Sequence, residues 1–369
     1  MPKITALKEV KRTLIDRHVN PDNGKGMASV ATTLLPLAAL WYCAAASVAV
    51  SYWLTAGIVL LMSLFLLRVF VLMHECGHGS LFRTGRLNRA FGFVFGVACG
   101  MPQYVWSRHH QYHHSTNGNW ARYRGPLDIV PVAEYAAMTT TQQRRYRQSR
   151  NIWMAPVAGL FYLVINPRVN WLRGTVSLLG FTVASKIASP GVSWREHALA
   201  FRTRHWNSWQ EFQQITWNNI VLLGLWGLMA WLVGPLLFFT CYLISHALAG
   251  GAGIVLFTAQ HNFENSYASA DDGWDYDLAA IEGTSFLVLP RWLNWFTANI
   301  GYHHVHHLSG RIPFYCLVAC HEEYEHLFTS VTRIRFSGIP HALACVLWDE
   351  RLRRIVSVAD YQRGLAAAA

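Results

Sequence analysis

The chain has 369 residues, of which 53% are hydrophobic and only 14% charged, with a net charge of +11. Soluble domains carry about 25% charged residues, so this composition argues against a water-soluble globular protein and for lipid as a solvent. The basic excess does not form the solvated stripe of a nucleic-acid binder; it flanks long apolar runs, where it orients a membrane protein.

Residues 1–27 are polar and end in the loop-like stretch Asn20-Pro21-Asp22-Asn23-Gly24. Ile4, Leu7, Val10, Leu14 and Ile15 recur at helical spacing with Lys3, Lys8, Lys11 and Arg12 between them. This predicts a short helix, either resting on a membrane surface or solvated. The basic start lacks the short apolar core and cleavage site of a signal peptide.

Residues 28–73 hold one charge, Arg68. At about 20 residues per span, they make two membrane helices, 28–47 and 52–73, joined by a tight turn. A second pair, 215–234 and 236–258, is broken at Gly234-Pro235. The apolar runs 90–102 and 152–165 are too short to span and read as re-entrant or interfacial segments. Six Lys and Arg precede residue 28, sixteen lie in 74–214 and eight follow 261, whereas the two short turns contain none. The positive-inside rule then puts both termini, and a cap built from 74–214 and 259–369, on the cytoplasmic side of a single domain spanning 1–369. The seven cysteines form no CxxC pair and read as small buried residues in a reducing environment, not as a disulfide framework.

Three histidine clusters stand out among eighteen histidines. His74-Glu-Cys-Gly-His78 closes the second predicted span. His109-His110-Gln-Tyr-His113-His114 and His303-His304-Val-His306-His307 follow later in the chain. Residues three and four apart share a helix face. HxxxH and the two HxxHH sets therefore aim His74 and His78, His110, His113 and His114, and His303, His306 and His307 at common points. Neutral imidazole suits iron, zinc, copper and nickel. Eight or more nitrogens exceed what one tetrahedral zinc takes and suit two octahedral ions. His261 is a lone histidine, but it ends the last span at the predicted depth of His74 and His78, which makes it a further candidate ligand. His109 and His304 fall outside the spacing. His18, His197, His205, His321, His326 and His341 read as ordinary polar residues, and His246 as a bundle-facing hydrogen bonder.

With these residues in view, the sequence resembles the membrane fatty acid desaturase family, in particular the bacterial and plastid acyl-lipid type called Δ12 or ω6. The resemblance runs from about Phe65 to about Val356. It is carried by HECGHGSLFR (74–83), the HHQYHH run with its loop to Glu134-Tyr135, QHNFENSY (260–267) and LPRWLNWFTANIGYHHVHHLSGRIPFY (289–315). It implies an all-α, mushroom-like integral membrane fold, with four spans carrying a cytoplasmic helical cap that holds two iron ions. His74, His78, His110, His113, His114, His261, His303, His306 and His307 would be the ligands. The implied reaction takes dioxygen and two external electrons and leaves a cis double bond in a fatty acyl chain, that of a membrane lipid, in a bacterial inner membrane. The departures lie mainly in 151–215, which bears on the position of the double bond. No His-Pro-Gly-Gly is present, so the electrons are expected from a separate donor such as ferredoxin, which the basic face would attract.

Carboxylates should orient the ligating imidazoles from behind, and Asp128, Glu264 and Asp277 are the candidates. Three rival readings share some of these residues. A hydroxylase or ketolase acting on a carotenoid, alkane or sphingolipid would use nearly the same ligands. A zinc metalloprotease would explain HExxH at 74–78 but leave six histidines without a role. A metal transporter would place its site nearer the bilayer midplane.

Overall fold

The long elements follow from the apolar runs, and a computed structural model gives their arrangement for residues 2–124, 129–352 and 354–368. Helix α1 (Pro2–His18) buries Leu7 and Leu14 against protein. Its basic side pairs Lys8 with Asp275, Lys11 with Asp277 and Arg17 with Glu323. The apolar face read from the sequence is therefore covered by the chain itself. Asp22 caps α2 (Asn23–Ser47) by accepting from the Lys25 amide at 2.8 Å, so this helix starts earlier than hydropathy predicts. After the expected turn, α3 (Tyr52–His78) runs back and ends at Gly79, whose φ of 70° is a left-handed cap. With 61% of its apolar window buried, α3 is the most enclosed of the long helices and forms the centre of the bundle.

The predicted re-entrant run 90–102 lies in α4 (Gly85–Ala98) and the turn through Gly100, which returns the chain as α5 (Gln103–Thr116). Strand β1 (Val130–Pro131), α6 (Val132–Ala137) and α7 (Thr140–Ser149) follow. The run 152–165 does not stop where the sequence suggested. A 3-10 turn, α8 (Ala155–Leu160), a π-helical turn (Phe161–Ile165) and α9 (Asn166–Ala188) make one continuous helical stretch. Pro167 is tolerated because it falls in the first turn of α9. Arg168 does not reach solvent as a terminating charge: its guanidinium donates to Asn219 Oδ1 at 2.6 Å, to Asn218 Oδ1 at 3.1 Å and to the Gly100 carbonyl.

After α10 (Trp194–Ala200), α11 (Trp209–Val233) and α12 (Pro235–His261) form the second long hairpin, turning at Gly234. Among the described residues, five stretches are long and apolar enough to cross a membrane: Asn23–Ser47, Tyr52–His78, Ile152–Ala188, Trp209–Val233 and Pro235–His261. The third of these crosses α12 and meets the start of α11. Gly159 meets Gly250 and Gly251 backbone to backbone; a Cβ on Gly159 would stand 2.3 Å from the Gly250 carbonyl carbon. These glycines precede His261 by roughly 15 Å of helix. Trp171 Nε1 donates to Thr216 Oγ1 at 3.0 Å, near the start of α11.

The rest of the chain is short elements: α13 (Tyr276–Ile281), β2 (Ser285–Val288), α14 (Arg291–Phe296), α15 (His303–Leu308), α16 (Leu317–Glu323), β3 (Thr332–Arg335), α17 (Ile339–Ala344), β4 (Cys345–Asp349), β5 (Arg354–Ser357) and α18 (Val358–Ala368). The protein is mostly helical but not all-α. β1 pairs in parallel with β4, and β4 antiparallel with β5. β2 pairs in parallel with β3, setting Leu287 opposite Ile334. Phe286, Leu287, Ile334, Val346, Leu347, Trp348, Ile355 and Val356 are β-branched, aromatic or large apolar residues buried in these strands, where such side chains pack well on a pleated surface.

Candidate metal centre

Four helices bring their ends together. His74 and His78 occupy the last turns of α3, His261 ends α12, and α5 and α15 carry the two HxxHH sets. Helical periodicity turns i and i+4 to one face and i+3 slightly aside, and the result is two interleaved groups. One comprises His74, His78, His110, His114 and His306; the other His113, His261, His303 and His307, with ligand atoms inside each group within 4.8 Å of one another. In both HxxHH sets, the first and last histidines join one group and the middle one joins the other. The groups are neighbours, since the rings of His114 and His307 stack at 4.1 Å.

The donor set fits metal ions. A metal–imidazole bond of roughly 2.1 Å sets adjacent nitrogens of an octahedral ion roughly 3.0 Å apart. Nε2 of His110 and His114 are 2.9 Å apart, those of His261 and His303 3.0 Å, and those of His114 and His306 3.1 Å. Several ring nitrogens have no hydrogen-bond partner although buried, including His78 Nε2, both nitrogens of His113, and His307 Nε2. Leaving such atoms unmatched costs about 1–3 kcal/mol each, a penalty that coordination removes. Burial, reinforced by neighbouring imidazoles, pushes His110, His113, His114, His303, His306 and His307 well below the usual 6.5. They are therefore neutral at pH 7, the form that binds metal.

Glu75, fully buried between His74 and His78, is the residue that sequence reasoning assigned no supporting role. Its Oε2 accepts from Ser80 Oγ and from the Phe314 amide, both at 2.9 Å, while Oε1 stands 3.4 Å from His74 Nδ1. The carboxylate thus ties the first cluster to the loop after the third. Gly310 in that loop lies against the His78 ring, where a Cβ would stand 2.6 Å from Nδ1. The HExxH pattern was the available signal. Glu75 is engaged by the fold, and its neighbours His74 and His78 belong to a group of five imidazoles, not two.

Of the three carboxylates expected to orient ligands, Asp128 lies outside the described residues. Glu264 pairs with Arg354 at 2.8 Å and Asp277 with Lys11. Neither accepts a hydrogen bond from a clustered imidazole among the described residues. His109 is exposed and outside both groups, and His304 turns away to His321, Nε2 to Nδ1 at 2.8 Å. His246 makes the expected bundle contacts, with the Tyr242 and Ala98 carbonyls.

A profile described as fatty acid desaturase matches residues 51–337, which contain all nine clustered histidines. The chain belongs to the fatty acid desaturase family. A fatty acid desaturase of Bacillus subtilis is 32% identical over 339 residues, covering 91% of this chain and 87% of the relative. An sn-1 oleoyl-lipid 12-desaturase of a Synechocystis strain is 23% identical over 329 residues, with 85% and 80% covered. The enzyme of that name from a Picosynechococcus strain is 24% identical, with 77% and 73% covered. Membership accounts for the apolar helices and the buried histidines together: this desaturase family member is a membrane oxidoreductase of lipid metabolism.

Proposed function

We propose that this family member is a di-iron, dioxygen-dependent desaturase that introduces a cis double bond into a fatty acyl chain carried by a membrane lipid. The observation that carries the reading is the pair of adjacent, buried, neutral histidine groups at one end of a bundle of apolar helices. In this reading His74, His78, His110, His114 and His306 hold one iron and His113, His261, His303 and His307 the other. Bound there, the two irons supply the oxidising power needed to take hydrogen from an unactivated methylene, which no side-chain acid or base can do. The balance is that the acyl chain gives two hydrogens, an external donor gives two electrons and two protons are taken up, reducing one dioxygen to two waters.

The chain's own residues supply position and exclusion. α3, α5, α12 and α15 hold the nine imidazoles in fixed rotamers, Glu75 and Gly310 lock the third cluster's loop against the first, and burial of the groups keeps bulk water out. Four spans, α2, α3, α11 and α12, cross the membrane, with both termini and the histidine-bearing cap on the cytoplasmic side of a bacterial inner membrane. Ile152–Ala188 is proposed to lie near the cap-side interface, because Gly250, Gly251, Thr216, Asn218 and Asn219, which hold it to α11 and α12, lie in the cap-side halves of those helices. No Asp or Glu occurs between Glu134 and Glu196, and the exposed Arg144, Arg145 and Arg147 suit an acidic electron carrier such as ferredoxin.

The test is expression in a host that lacks polyunsaturated lipids, with mass spectrometry to locate new double bonds. A new cis double bond that depends on the nine histidines is expected. Hydroxylated or keto products instead would move the protein to another activity of the superfamily, and no new product from iron-loaded protein would sink the proposal.

A further inference from the structure

Three of the helices that carry histidines into the groups repeat one feature. α3 has Phe70 four residues before His74, α5 has Trp106 four before His110, and α12 has Phe257 four before His261. Four residues back is the same helix face, about 6 Å along the axis, and in each helix it lies toward the apolar bundle. The three rings thus form a layer beneath the imidazoles.

The layer has two parts. Trp106 lies flat on His110 at 4.6 Å and 15°, stands 5.7 Å from His74, and meets the edge of Phe70 at 5.2 Å. Phe257 sits under the other group, 5.0 Å from His261, 5.1 Å from His113 and 6.5 Å from His303. His110 neighbours both parts, with the Phe257 ring centroid at 6.4 Å. Phe70, Trp106 and Phe257 are all only half-buried, so each ring keeps surface that the described residues do not cover.

Resting on the reading of the protein as an acyl desaturase, we infer that the acyl chain reaches the two histidine groups between Trp106 and Phe257, and that these rings select which methylene is presented. A hydrocarbon chain has no polar handle near the reacting carbons, and an apolar pocket discriminates one methylene by only roughly 10- to 200-fold. Selection must then come from rigid shape close to the reacting atoms. Aromatic rings with two torsions supply large, stiff surfaces at low entropic cost. Trp106 flanks the five-histidine group and Phe257 the four-histidine group, so a chain between them faces both.

The experiment compares full-length, iron-loaded wild type with Phe257→Ala, Phe257→Leu and Trp106→Phe in the same host. It reads double-bond position by mass spectrometry and iron per chain. Phe257→Ala is expected to keep the wild-type iron content and to change the ratio of positional isomers at least tenfold, with Phe257→Leu and Trp106→Phe shifting it less. An unchanged isomer ratio in all three variants overturns the inference. So does loss of iron from both Phe257→Ala and Phe257→Leu, which would make the ring a packing support for the ligands. Absence of any new double bond in the wild type is a distinct result: it removes the desaturase reading itself, and this inference with it.

Discussion

Replacing His261 with alanine removes one imidazole from the four-histidine group and leaves the five-histidine group intact. The ring is 4% exposed, and its Nε2 lies 3.0 Å from His303 Nε2. Structural zinc sites with four ligands bind with about 10–16 kcal/mol, so one imidazole in four accounts for roughly 3 kcal/mol. At 1.4 kcal/mol per decade that is about a hundredfold in affinity. The variant should still insert into the membrane, because His261 ends its helix and the small void lies at a polar centre. Metal analysis of purified, chelator-washed protein should show content falling from about two ions per chain toward one, with acyl desaturation lost. His109→Ala is the matched control, since His109 is exposed and belongs to neither group; it should keep its metal and most of its activity. Full metal and turnover in His261→Ala would refute the four-histidine site. Loss of metal from His109→Ala would show that the second cluster is registered one residue away from the arrangement seen here.

Two further predictions concern the surroundings of the groups. Glu75→Gln can keep its bonds to Ser80 and Phe314 through one oxygen but presents an N–H toward His74 Nδ1, 3.4 Å away in the native protein; metal affinity by chelator competition should fall about 10- to 100-fold, and an unchanged affinity would remove Glu75 from the support of that ligand. For the metal-free protein, the buried histidines outside the long helices titrate well below the usual 6.5, so the unfolded chain binds more protons below that pH. Stability should be full above about pH 6.5 and fall as pH drops, by about 1.4 kcal/mol per pH unit for each such histidine that stays buried; thermal melts that are flat from pH 7 to 5 would contradict this.

The parts of the site legible in the sequence are those governed by helix period. HxxxH and HxxHH announce which imidazoles share a face, and His261 is legible because hydropathy ends its helix at the depth of His74. The remainder depends on contacts between distant segments. The role of Glu75 depends on the Phe314 amide, 239 residues away, which the HExxH pattern and nearby Ser80 do not reveal. The length of Ile152–Ala188 was hidden because Arg168 looks like the end of an apolar run until Asn218 and Asn219 are brought to it. Strands β2 and β3 have four residues each and pair across more than forty residues, so neither shows a local alternation long enough to distinguish it from loop. Nothing in the sequence around Glu264 and Asp277 shows that Arg354 and Lys11 approach them from elsewhere in the chain.

The backbone-to-backbone crossing at Gly159, Gly250 and Gly251 has a consequence for the lipid around the protein. It holds Ile152–Ala188 against the histidine-side half of α12, and Asn218 and Asn219 hold it to the matching half of α11. The opposite ends are sparsely clothed: Trp53 is 88% exposed, Trp231 79% and Leu236 83%. On the proposed topology the protein displaces more lipid from the leaflet beside the cap than from the other. On that topology it would be a wedge in cross-section whose insertion would favour a bilayer with a cap-side leaflet able to give up area, so leaflet tension and local curvature would become variables that act on this fold.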